Sequence, residues 1–120
     1  MQLTNEIVAR YVGGQLEAQN QTGNYLYRGE IATITVEGEG DDATLKVTLN
    51  WMAKWDMNRW VNEDELTYEA SLYIYSVYDI GDNRIALDSE IMGEITVLNP
   101  PDGDKLDPAK VEGLTLTATT

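Results

Sequence analysis

Apolar residues fall on alternate positions through most of this chain, and that alternation predicts strands. The clearest run lies at 43–55. There Leu45, Val47, Leu49, Trp51, Ala53 and Trp55 share one face, opposed by Lys46, Thr48, Asn50, Met52 and Lys54. A second run at 25–37 sets Ala32, Ile34 and Val36 against Thr33, Thr35 and Glu37. Gly29 stands inside that run, where a missing side chain marks a sharp bend or a bulge. Further strands are expected at 15–19, 66–79, 84–98 and 113–119. The 84–98 segment is taken as one long strand with Gly93 in its middle, and 56–65 as a polar loop carrying Trp60.

One helix interrupts this pattern, at about 3–12. Thr4 or Asn5 can cap it, Ile7, Val8, Tyr11 and Val12 recur at helical spacing, and Gly13-Gly14 stops it. Gly81-Asp82-Asn83 supplies hairpin chemistry, and Pro100-Pro101-Asp102-Gly103 breaks the sheet. Long strands with interior glycines curve strongly, and a curved sheet hides its edges. The expected fold is therefore all-β and mainly antiparallel: a small barrel or half-barrel of about six strands, with one short N-terminal helix, in a single domain over 1–120.

The order of short helix, strand, Gly-bent strand and hairpin resembles the opening of Sm-like and SH3-like small barrels over about the first 50 residues. The apolar-Arg-Gly step that Sm-like proteins carry late in the barrel is absent at the matching place. Arg28-Gly29 comes too early to serve, so the resemblance carries no function.

Charge and missing residue types narrow the function more than any motif does. Eight Lys and Arg against 21 Asp and Glu give a net charge of −13, a field that repels nucleic acid and anionic membranes and attracts basic protein surfaces. No His and no Cys are present, which removes Ser-His-Asp and Cys-His nucleophile systems and ordinary zinc or copper ligation. The acidic turns at Glu37, Glu39, Asp41, Asp42 and at Asp102, Asp104, Asp107 lack EF-hand spacing and read as solvated loops. No catalytic residue, metal or cofactor is expected. The opening Met1-Gln2-Leu3-Thr4 has neither a basic leader nor an apolar signal core, so a cytoplasmic location is expected.

Aromatic clustering is the most unusual local feature. Trp51, Trp55 and Trp60 lie within ten residues, with Lys54 and Arg59 between them, and Tyr73 and Tyr75 follow on the next strand. Rigid rings with a polar tip anchor ligand pockets and interfaces. With no Phe in the chain, the same rings must also supply the core. These seven residues are the candidate binding set of a non-catalytic module for a small molecule or a protein. The alternative is an acidic protein that occupies the basic, nucleic-acid-binding surface of a partner. Apolar character on both faces at 73–78 also admits a homo-oligomer contact.

Overall fold

The computed structural model describes all residues except 1, 21, 40–41, 90–93 and 117–120; the side chains of 73–76 and 89 also lie outside the description. A short helix α1 (Asn5–Val8) opens the chain, capped by the Thr4 hydroxyl accepting from the Ile7 amide, and runs into a 3-10 turn at Ala9–Tyr11. Gly13, at φ 87°, then redirects the backbone as only glycine does without strain. The strands are β1 (Gln15–Asn20), β2 (Tyr25–Glu37), β3 (Ala43–Asp56), β4 (Arg59–Glu63), β5 (Thr67–Asp79), β6 (Ile85–Ser89), β7 (Glu94–Asn99) and β8 (Val111–Glu112).

All eight described strands join one mixed sheet, in the order β2-β1-β7-β6-β5-β3-β4-β8, and β2 pairs with β3 in addition. Every pairing is antiparallel except that of β4 with β8. The β5–β6 ladder is interrupted between Leu72 and Val77, and the sheet does not close into a continuous barrel. Eight strands rather than about six follow from two places where sequence pattern and fold part company. The segment 84–98 is two antiparallel strands, β6 and β7, paired from Ile85↔Leu98 to Asp88↔Ile95. The segment 56–65 is not a loop: β4 folds back on β3 and sets Trp60 opposite Trp55. The expected strand at 113–119 is absent over 113–116, and only Val111–Glu112 pairs, one step earlier; 117–119 lie outside the described residues.

The long strand β3 does not keep one face inward. Between the pairs Gly29↔Met52 and Ile31↔Leu49 it holds one residue more than β2, and β2 holds the extra residue between Ile31 and Thr33. Each extra residue reverses the side-chain phase. Leu45, Val47, Leu49 and then Met52 therefore enter the main core, while Trp51 and Ala53 turn to the opposite face. On β2 the same effect brings Ile31 and Ile34 inward and leaves Ala32 outside the core cluster. Gly29 sits at this crossing because a Cβ there would lie 2.7 Å from the Trp51 carbonyl oxygen. The bulge predicted from Gly29 is thus present; the single face predicted for β3 is not.

Two apolar clusters result. The main one fills the inside of the sheet with Leu16, Ile31, Leu45, Val47, Leu87 and Leu98, and takes Val8 and Tyr11 from the N-terminal turn. Tyr68 spans this interior from β5 to β7, donating its hydroxyl hydrogen bond to Glu94 at 2.9 Å and meeting the Thr96 hydroxyl. The smaller cluster lies outside the sheet: Trp51, Ala53 and Val111, with Trp60, Leu106 and Leu114 packed against them. Among the described residues, no helix is long and apolar enough to cross a membrane.

Candidate functional site

The outer face of β2, β3 and β4 carries the small cluster, and the segment 104–114 is held across it by polar side chains from β1 and β2. Gln15 and Glu17 alternate with the inward Leu16 and Ala18, yet both are buried. Gln15 pairs with the Leu106 backbone in both directions, accepting from its amide at 2.7 Å and donating to its carbonyl at 3.0 Å. Arg28 donates to Gln15 Oε1 at 2.8 Å, to Glu17 Oε1 at 3.1 Å and to the Asp104 carbonyl at 2.9 Å. Buried charge is tolerable because the guanidinium is paired and its hydrogen bonds are satisfied.

At one end of this face three rings meet. Trp55 and Trp60 stand edge-on with centroids 5.0 Å apart, and Tyr25 contacts them at 6.2 and 5.7 Å. Cross-strand pairing explains the first contact, since Trp55↔Trp60 is a register pair of the β3–β4 hairpin. Both indoles are only half-buried, Tyr25 is 41% exposed, and Met57 at the hairpin tip is 92% exposed. This is apolar surface that nothing in the chain covers among the described residues.

Trp51 has a different fate. It is 2% exposed, and no acceptor lies within hydrogen-bond reach of its Nε1–H among the described residues. An unmet buried donor of this kind costs about 1–3 kcal/mol. Trp51 also lines a groove of about 780 Å³ at the other end of the face. Glu30, Glu63 and Asp64 bring three carboxylates to this groove, and Asn50 and Asn62 bring carboxamides. Leu66, Leu114 and Leu116 form its apolar side. Asn50 donates to Glu30 Oε1 at 2.8 Å and so orients that carboxylate.

The sequence-predicted set therefore divides. Trp55 and Trp60 come together on an open surface, whereas Trp51 is a buried packing residue that touches the groove. Lys54 is exposed, and alternation sets it on the other face of β3 from Trp55. Arg59 is already engaged, with Glu112 at 2.7 Å and Asp56 at 3.6 Å, so its charge is largely offset. Tyr73 and Tyr75 lie on β5, and their side chains fall outside the described residues. Tyr25 and Glu30 carry no signal in the sequence, while Glu63 and Asp64 belong to the acidic run Glu63-Asp64-Glu65 at the end of the expected polar loop. Tyr25 begins its strand directly after turn residues, and nothing in the sequence links Glu30 to that acidic run until the fold brings them to one groove.

Comparison with protein-family models, with curated proteins and with solved structures found no match to this chain.

Proposed function

We propose that the chain is a non-catalytic binding module of the cytoplasm that holds a small molecule or a protein partner on the Trp/Tyr face of its β3–β4 hairpin. The observation that carries this reading is the Tyr25–Trp55–Trp60 cluster, three rings in mutual contact on half-open surface beside the exposed Met57. Aromatic and Met side chains grouped in this way supply contact area at low entropic cost and dominate the energetics of many interfaces. The curled sheet supports them as a rigid platform.

Native mass spectrometry of protein purified gently from its expression host tests this. A retained adduct or partner that is lost in Tyr25→Ala and Trp55→Ala is the expected result. An adduct retained equally by both variants would place binding elsewhere and overturn the assignment of this face.

A second reading is favoured by a separate observation. The net charge of −13 and the three groove carboxylates suit a protein that occupies a basic surface on a partner, including one that otherwise binds nucleic acid. On that reading, partner binding weakens steeply with added salt.

A further inference from the structure

Met57 stands where neither the turn nor the core has a use for it. The register pair Asp56↔Arg59 leaves Met57 and Asn58 as the two-residue loop of the β3–β4 hairpin, tightened by the Asn58 amide donating to the Asp56 carbonyl at 2.6 Å. Met57 has φ 58°, a left-handed conformation that tight hairpin turns give to Gly, Asn or Asp. The other non-glycine residues in that region, among the described ones, are Asp82 and Asn83. A long side chain is strained there, and at 92% exposure Met57 gains no burial in return. Strain that no contact within the fold offsets points to a use outside it.

The thioether sets the kind of use. With no cysteine in the chain, sulfur redox chemistry falls to its four methionines. Of the two described, Met52 is 3% exposed and belongs to the main core, while Met57 is open to solvent. Thioether oxidation follows exposure. The open sulfur also sits on the hairpin that carries Trp55 and Trp60.

We propose that Met57 is a reversible sulfoxidation site that switches the aromatic face between an apolar and a polar state. Such a switch rests on the binding face proposed above and supplies its regulation. A peroxide is the oxidant. The sulfur lone pair attacks one peroxide oxygen, the O–O bond breaks, the S–O bond forms, and the second oxygen leaves as water with both protons. Sulfur gives up two electrons, and the peroxide takes them. Two thiols of a sulfoxide reductase reverse the step, releasing the oxygen as water and ending as a disulfide. The sulfoxide is polar, so apolar contact at the hairpin tip is lost. Met57 lies outside both core clusters, so the fold beneath it stays as it is.

Peptide mapping by mass spectrometry during exposure to hydrogen peroxide reads the site. Met57 sulfoxide should form at least about tenfold faster than Met52 sulfoxide, the contrast between an open and a buried thioether. A methionine sulfoxide reductase with dithiothreitol should return Met57 to its starting mass. Protein carrying the Met57 sulfoxide should leave a phenyl hydrophobic-interaction column earlier than reduced protein, at an unchanged unfolding midpoint. Met57→Gln should elute early without peroxide, and Met57→Leu should remove most of the peroxide-dependent shift.

Comparable rates at Met52 and Met57, a sulfoxide that the reductase leaves in place, or an elution time that peroxide does not move would each overturn the switch. Ligand retained in native mass spectrometry separates it from the reading beneath it. Loss on oxidation and return on reduction support both. Retention through oxidation, with loss in Tyr25→Ala and Trp55→Ala, overturns the switch and leaves the binding face standing. Retention in those ring variants removes the face, and the switch with it.

Discussion

Arg28 and Glu17 face each other as register partners on β2 and β1, Nη1 to Oε1 at 3.1 Å, with side chains only 6% and 5% exposed. An ion pair so far from water is stabilising only while both members are present, because a lone buried charge has nothing to replace its hydration. Glu17→Ala should therefore cost about 3–5 kcal/mol. Asp104 also touches Arg28, at 3.3 Å, but its side chain is 75% exposed, and Asp104→Ala should cost less than about 1 kcal/mol. Urea unfolding midpoints at constant slope check the contrast. Equal costs would mean that the buried pair carries no special weight.

Gly29 gives a second test. A methyl group there would stand 2.7 Å from the Trp51 carbonyl oxygen and 2.9 Å from a Leu49 methyl, so β2 and β3 must part at the point where β3 changes phase. Gly29→Ala should destabilise by about 1–3 kcal/mol, the range for overpacking. It should also shift the Trp51 indole resonance more than those of Trp55 and Trp60. A neutral substitution would show that the crossing is loosely packed.

The ring pair of the hairpin predicts an energetic coupling. In a double-mutant cycle on Trp55→Leu and Trp60→Leu, thermal or denaturant unfolding should show the double variant costing about 0.5–1.5 kcal/mol less than the sum of the single effects. Strict additivity would mean that the 5.0 Å contact is geometric only.

Tyr68 makes stability depend on alkaline pH. Burial, with the nearby Glu94 carboxylate, pushes its phenol well above the ordinary value of 10.0. Above that value an unfolded chain releases the Tyr68 proton while the folded one retains it. The stabilisation from the protonated phenol is thus fully present below pH 10 and lost as pH rises towards the folded-state value. The expected slope from this group is about 1.4 kcal/mol per pH unit. Tyr68→Phe should flatten the stability profile above pH 10, and absorbance at 295 nm should show a late-titrating tyrosine in the wild type that the variant lacks. An unchanged profile in the variant would assign the alkaline loss to other groups.

The parts of this fold that sequence revealed are those governed by neighbours along the chain. The alternation in β2 and β3, the Thr4 cap and the glycine stop at Gly13 are all local consequences of side-chain spacing and backbone freedom. The phase reversal at Trp51 was hidden because a bulge inserts no characteristic residue into β3 itself; its trace lies across the ladder, at Gly29. Ile85, Leu87, Ile95 and Val97 read as one strand because their spacing is the same whether the chain runs on or doubles back. Burial of Gln15 and Glu17 was equally invisible. Their alternation marks them as solvent-facing, and only the docked 104–106 segment removes the solvent.

That docked segment also sets an order of assembly. Gln15 and Leu106 are separated by 91 positions, and Arg28 and Asp104 by 76. On a ribosome, β1 and β2 emerge long before the residues that cover them. During that interval the residues that exclude water from Arg28, Glu17 and Trp51 in the finished fold have not been made. The outer face is thus a late product of synthesis, completed only when 104–114 arrives, after β1 to β7 have all been made.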